Sequence, residues 1–110
     1  MRNISTPYKW VVIEHKFHHA RRQRVLAGFA GSYGGEDWWK LNSGIYEFEE
    51  LTDRFVFSGH SGSTYVCYKE NYGLTNLTSD VLERLLSMPE LEVQVVSRYD
   101  PIVVQPESTS

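Results

Sequence analysis

The 110-residue sequence has a single cysteine, Cys67, and no apolar run that approaches the roughly 20 residues needed to cross a bilayer as a helix. One cysteine excludes an internal disulfide, which favours a reducing compartment. The polar start, Met-Arg-Asn-Ile-Ser-Thr-Pro, lacks the apolar segment of a secretory signal peptide. We therefore expect a cytoplasmic protein that makes no membrane contact.

The apolar content is sufficient for a hydrophobic core without metal or disulfide support. Hydrophobic residues make up 41 % of the chain and aromatic residues 14 %. A chain of this length fits one domain. We expect a single domain over residues 1–110, with loosely ordered tails at about 1–7 and 105–110.

Charge is unevenly distributed along the chain. Residues 1–40 contain seven Lys or Arg against three acidic residues, whereas residues 41–110 contain four against eleven, so the two parts carry net charges of +4 and −7. Such asymmetry is typical of a surface that binds a partner. The mild overall acidity, a net charge of −3, disfavours a general nucleic-acid binder, which needs a strongly basic domain.

Strand-type patterns are clearest in the middle of the chain. Alternating apolar residues and short, turn-like connections predict an antiparallel meander, with Phe55 and Phe57 on its buried face. A separate apolar run at 8–14 predicts a buried strand. The four strands of the predicted meander span residues 38–42, 45–50, 54–58 and 64–69.

After residue 76 the apolar residues recur at the spacing of a helix. Leucines and valines at helical spacing predict a helix over 78–88 that Pro89 ends, with Thr78 or Ser79 as its N-cap. Further strands are expected at 91–96 and 102–104. The fold class is therefore α+β: a meander of five to six strands, with a partly closed small barrel as its variant, and one helix near the C-terminus packed on it.

The sequence pattern of residues 15–35 is compatible with helix, strand or loop. Its second half has four glycines, at positions 28, 31, 34 and 35. Glycine costs about 1 kcal/mol relative to alanine inside a helix, so a long helix is disfavoured there. We favour an irregular strand or a loop over 25–35, with helix possible only over about 18–26.

Residues 15–24 are the most unusual part of the sequence, since they hold three of the four histidines and four of the eleven Lys and Arg residues. A run of basic residues is most often a solvated face. As a functional surface, its arginine forks suit the carboxylates of an acidic protein surface. Alternatively they bind nucleic acid, with Phe17, Phe29 and Tyr33 stacking on bases. The candidate binding residues are Lys16, His18, His19, Arg21, Arg22, Arg24 and Trp38.

The histidines of this segment also raise the question of a metal site. On a helix, His15 would share a face with His18 or His19, a spacing that metals use. No cysteine pair or second histidine cluster supplies the remaining ligands, and the neighbouring basic residues repel a divalent cation. We expect no metal and no cofactor.

Trp38 and Trp39 are adjacent, so in a strand their side chains point to opposite faces. In a one-sided sheet only one indole enters the core. The other is either covered by residues 15–35 or exposed as a contact anchor. Covering is the favoured interpretation, because residues 15–35 must pack against something.

A histidine flanked by two serines lies in the glycine-rich segment 59–63, and Cys67 follows shortly after. These residues suggest a small enzyme centred on His60 and Cys67. The segment lies between two predicted strands, whereas the serine elbow of hydrolases lies between a strand and a helix. A hairpin turn explains the same residues.

We therefore expect a small non-catalytic binding protein that acts through protein–protein interaction, as a regulator or inhibitor, with the basic segment contacting an acidic partner. Nucleic-acid binding through the same segment is the first alternative. The His60/Cys67 enzyme is the second.

Overall fold

The computed structural model of the chain describes residues 3–17, 20–31 and 36–99. These residues form eight strands and one α-helix, with short 3-10 turns at Lys69–Asn71 and Pro89–Leu91. The strands are β1 Asn3–Ser5, β2 Lys9–Phe17, β3 Ala20–Phe29, β4 Trp38–Leu41, β5 Ile45–Glu50, β6 Arg54–Gly59, β7 Ser63–Tyr68 and β8 Gln94–Val96, and the helix is α1 Asn76–Leu86.

The strands are arranged in two sheets of four. The outer sheet has the order β1-β7-β6-β5 and the middle sheet the order β4-β3-β2-β8. All pairs are antiparallel except that of β1 with β7. The predicted α+β class is confirmed. The prediction of one sheet with five to six strands needs correction, because the eight strands are divided between two sheets of four. The described residues form no closed barrel.

The two inner strands of the middle sheet, β2 and β3, are buried on both faces over residues 10–13 and 25–29. Along β2, Trp10 and Val12 pack toward the outer sheet, whereas Val11 and Ile13 pack toward α1. Strands covered on both sides carry continuous apolar runs instead of alternating ones. Residues 25–29 of β3 are likewise buried throughout. β3 extends as a regular strand from Ala20 through Gly28 to Phe29, which corrects both the possible helix over 18–26 and the irregular strand or loop expected from 25 onward. Residues 18, 19 and 32–35 of that segment lie outside the described residues.

Trp10 lies at the centre of the core between the two sheets. It is 1 % exposed, and its indole N–H donates to the carbonyl oxygen of Tyr68 at 2.7 Å. Phe55 and Phe57 contact it with ring centroids 5.9 and 5.7 Å away. Buried aromatic side chains contribute large apolar areas, and a buried indole N–H needs such a partner. Phe55 and Phe57 pack on the same core as predicted, with Phe57 fully buried and Phe55 half-buried.

The predicted meander over 38–69 is wrong at its first strand. Only β5, β6 and β7 form a meander, whereas β4 pairs with β3 in the middle sheet. Asn42 extends the attachment of β4 to β3, because its backbone N–H donates to the Val25 carbonyl at 3.1 Å and its side-chain Oδ1 accepts from the Val25 N–H at 2.8 Å.

One further expectation needs correction in the outer sheet. A bulge between Ile45 and Glu47 interrupts the alternation of β5, so Ile45 and the half-buried Phe48 both pack on the core, whereas Tyr46 is 49 % exposed. The first residues were expected to be loose, but Asn3–Ser5 pairs with β7 and Pro7 is buried.

The predicted helix is present, but its cap is another residue. The hydroxyl of Thr75 accepts the N–H of Thr78, and Thr78 Oγ1 accepts the N–H of Thr75, which together form a capping box. Thr78 is therefore the third helical residue and is buried. This end of α1 contacts the middle sheet at Gly28, where an added Cβ would lie only 2.9 Å from Thr75 Cγ2.

The C-terminal strand is shorter than expected. Instead of a strand over 91–96, the chain forms a 3-10 turn, passes through a left-handed residue at Glu92 (φ 47°) and enters β8 only at Gln94. The strand expected at 102–104 lies outside the described residues. Within the described ranges, none of the helical segments is long and apolar enough to cross a membrane.

Burial of one helix face generates a stability prediction. Leu82 is 8 % exposed and packs on the middle sheet, whereas Leu86, one turn later, is 52 % exposed. Leu82→Ala should lower the free energy of unfolding by about 2–5 kcal/mol, because a buried leucine is lost. The matched Leu86→Ala should change it by less than about 0.5 kcal/mol, as surface positions do. Urea unfolding of both variants measures the difference, and equal effects would contradict this packing.

Candidate functional site

The predicted basic segment is a β-hairpin, and strand alternation divides its side chains between two faces. In the β2–β3 register, His15 pairs with Arg22 and Lys16 with Arg21. Directly paired residues of neighbouring strands lie on the same face, and the next residue along the strand lies on the other. Arg21 and Arg22 therefore point to opposite faces. His18 and His19 lie outside the described residues.

The face that carries Lys16 and Arg21 also carries an acidic residue. Arg21 Nε lies 3.9 Å from Glu14 Oε1, and Gln23 Nε2 donates to the same oxygen at 3.0 Å. Gln23 also donates to the Arg98 carbonyl at 3.2 Å. Arg21 is thus engaged by an internal carboxylate, which reduces its availability to an external anion.

The opposite face, which we call the basic face, carries His15, Arg22 and Arg24. Arg24 is half-buried and donates through Nε to the Asn42 carbonyl at 2.6 Å, while the exposed Arg22 donates to the Ser43 carbonyl at 3.2 Å. Neither arginine lies within 4.0 Å of a carboxylate of the described residues. Burial, and then the charge of Arg22, lower the pKa of Arg24. It remains a cation, since guanidinium is not deprotonated in proteins.

His15 is the least expected member of this face. Both ring nitrogens are shielded from solvent and have no hydrogen-bond partner among the described residues. The ring borders a 410 Å³ cavity that is also lined by Ala20, Arg22 and Leu91. Burial is the main cause that lowers the pKa of His15, followed by the charges of Arg24 and Arg22.

Neither indole of β4 enters the core, so the expectation that one would be buried is wrong. Trp38 is 46 % and Trp39 42 % exposed, because β4 is an edge strand of the middle sheet. Trp38 stacks on Phe29 with centroids 4.0 Å apart and planes 10° apart. Lys40 Nζ lies 5.5 Å from the Trp38 ring centroid, within the range of a cation–π contact.

His60 and Cys67 lie in different surroundings. Cys67 is fully buried in the core between the sheets, and burial raises the pKa of its thiol. A thiol nucleophile needs exposure and a lowered pKa. His60 lies at the exposed β6–β7 turn, where its ring contacts Tyr46 at a centroid distance of 5.6 Å. This geometry gives the enzyme interpretation no support.

Sequence reasoning missed a polar cleft next to the basic face. It has a volume of 540 Å³ and lies between the end of β4 and the start of β7, where Arg24, Lys40 and several polar side chains meet. Asn42 lines this cleft, is 3 % exposed and has an Nδ2 without a partner. No sequence signal identifies the cleft, since its residues come from β3, β4, β7 and two connections. In the described part of the chain, no three metal-ligating side chains are grouped together.

Comparisons with known proteins give no further guide to the site. No family model matches the chain, and neither a curated protein nor a solved structure matches it significantly.

The buried imidazole generates a prediction about acid stability. The pKa of His15 is lowered in the folded protein, so below the ordinary value of about 6.5 the unfolded chain binds a proton that the folded chain does not. The free energy of unfolding should therefore fall as the pH is lowered from about 7.5 to 5.

In His15→Gln this fall should be smaller, and chemical denaturation at several pH values measures it. His60→Gln is the control for removal of an imidazole at the surface. An unchanged pH dependence in His15→Gln would contradict the burial of this ring.

Proposed function

We propose that this protein is a small, non-catalytic, cytoplasmic binding protein that recognises an acidic surface of a partner protein through the basic face, as a regulator or inhibitor would. One observation carries the proposal. Arg22 and Arg24 occupy one face of β3 without a carboxylate within ion-pair distance in the described ranges, whereas Arg21 lies opposite and contacts Glu14.

The two arginines contribute differently to such an interface. Arg24 is half-buried and held at Nε by the Asn42 carbonyl, so its orientation is set before a partner arrives. A preorganised planar fork loses less entropy on binding a carboxylate. Arg22 is exposed, and exposed charges act mainly on the rate and orientation of association. An aspartate- or glutamate-rich segment is the partner chemistry that fits.

Nucleic-acid binding is the second candidate, and the exposed Trp38 and Trp39 are the observation that favours it. Aromatic faces beside cations bind single-stranded nucleic acid by stacking. Against it, the exposed edge strand β5 carries Glu47, Glu49 and Glu50, which repel a long polyanion. Salt separates the candidates, because each phosphate contact adds a slope of about −0.7 to −0.9 to the dependence of log affinity on log salt.

Charge reversal tests the proposed protein interface. The wild type, Arg22→Glu and Arg21→Glu are immobilised and exposed to an extract of the source cells with and without nuclease, and retained proteins are quantified by mass spectrometry. A partner held by wild type should be lost at least about tenfold in Arg22→Glu, because a charged contact becomes repulsive. Arg21→Glu, on the opposite face, should retain it.

Arg22→Glu should fold, because Arg22 is exposed and exposed charges contribute only about 0–1 kcal/mol to stability. Arg21→Glu places a second carboxylate beside Glu14, so circular dichroism and thermal unfolding must show a native fold before this variant serves as the control. Equal retention by wild type and Arg22→Glu would overturn the proposal. Retention that nuclease abolishes would favour nucleic-acid binding instead.

A further inference from the structure

We propose that the polar cleft between β4 and β7 is a binding site for a phosphate monoester carried on an aromatic group. The site is distinct from the proposed protein interface in what it binds, and it does not depend on that function. It combines two cations, several hydroxyl donors and an exposed indole around a volume of 540 Å³.

Both cations of the cleft have unused donors. Arg24 uses only Nε, toward the Asn42 carbonyl, so its terminal amino groups make no hydrogen bond to a described residue. Lys40 Nζ has only Ser5 Oγ, at 3.5 Å, as a polar partner in the described ranges. Neither has a described carboxylate within 4.0 Å, and no Asp or Glu of the described ranges lines the cleft.

Uncharged hydrogen-bond donors of the cleft add to the unused donors of Arg24 and Lys40. Ser43 Oγ accepts the backbone N–H of Ser61 at 3.0 Å, which leaves its hydroxyl proton to donate. The hydroxyls of Ser61 and Ser63 make no hydrogen bond to described residues. Asn42 Oδ1 accepts from Val25 at 2.8 Å, which assigns the amide orientation. Its Nδ2 is shielded from solvent and lies beside Gly59, where an added Cβ would be 3.0 Å away, so we do not count it among the donors that a ligand reaches. Donors without acceptors favour an anion with several oxygens.

Other polar cavities of the described surface differ in charge. The cavity beside Arg21 contains Glu14, and the one beside Lys16 contains Glu14 and Glu92. A further cavity beside Lys69 contains Asp53 and Glu70. In each, an internal carboxylate competes for the cation. The cleft of Arg24 and Lys40 differs from these three because its cations face no such competitor.

The number of donors indicates the class of anion. A carboxylate offers two oxygens and one charge, whereas a phosphate monoester offers three terminal oxygens and a charge near −2, which matches two cations and nearby hydroxyls better. Phosphate alone does not fill a cleft of 540 Å³, since sites of about 300–1,000 Å³ take larger ligands. Trp39 lines the cleft and is 42 % exposed, so it offers a face on which an aromatic group stacks.

Titration with phenyl phosphate and with inorganic phosphate tests the proposal. Binding is detected by tryptophan fluorescence and by the amide chemical shifts of residues 39–43 and 61–65. Wild type should bind phenyl phosphate with a Kd below about 1 mM and at least about tenfold more tightly than inorganic phosphate. Lys40→Gln should weaken both by about tenfold or more, because a charge-assisted contact is lost. Trp39→Leu should remove the advantage of phenyl phosphate.

Lys9→Gln is the matched control, since Lys9 lies over Tyr8 and outside the cleft. This variant should bind phenyl phosphate with the same affinity as wild type. Ser63→Ala is a second cleft variant in case Lys40→Gln fails to fold, and should also weaken binding. Absence of saturable binding, or equal binding by wild type, Lys40→Gln and Ser63→Ala, would overturn the proposal. Equally tight binding of benzoate would overturn the assignment to phosphate. Loss of partner capture in Arg22→Glu bears only on the protein interface, because that residue does not line the cleft.

Discussion

The part of the β2–β3 hairpin that lies away from its turn, residues 10–13 and 25–29, is buried on both faces. The rest of the structure depends on this constraint. Val12 and Val25 are completely buried against the outer sheet, while Ile13 and Leu26 are equally buried against α1. A one-residue slip between the strands would turn each side chain of one strand to the other face. The slip would break two cores at once, so burial fixes the register more firmly than a one-sided sheet does.

The same register determines where charge emerges from the hairpin. Beyond the part covered by α1, the alternation continues into polar residues. It directs Arg22 and Arg24 to the helix side and Arg21 to the side of Glu14. The arginines without a carboxylate partner thus follow from packing elsewhere in the molecule. Arg24 also borders the cleft, in whose lining no described acidic residue lies, so the hairpin contributes this one arginine to both proposed sites.

Local patterns predicted most of the elements but few of their partners. The strands around Phe55 and Phe57 and the helix around Leu82 follow from apolar period, which is a local property. The partner of β4 does not, because pairing with β3 is a contact between distant segments. Gly28 resembled a loop signal, although its missing side chain lets Thr75 approach the sheet. The composition of residues 15–24 identified them as a basic segment, but which of their side chains share a face follows only from the strand pairing.

Both proposed sites depend on the pairing of β2 with β3, and cross-strand nuclear Overhauser effects in labelled protein measure this pairing most directly. We expect contacts that pair Val12 with Val25 and His15 with Arg22, as in the structure. Contacts that pair Val12 with Arg24 or Leu26 would show a register shifted by one residue. That result would place Arg21 and Gln23 on the face assigned here to Arg22 and would contradict the account.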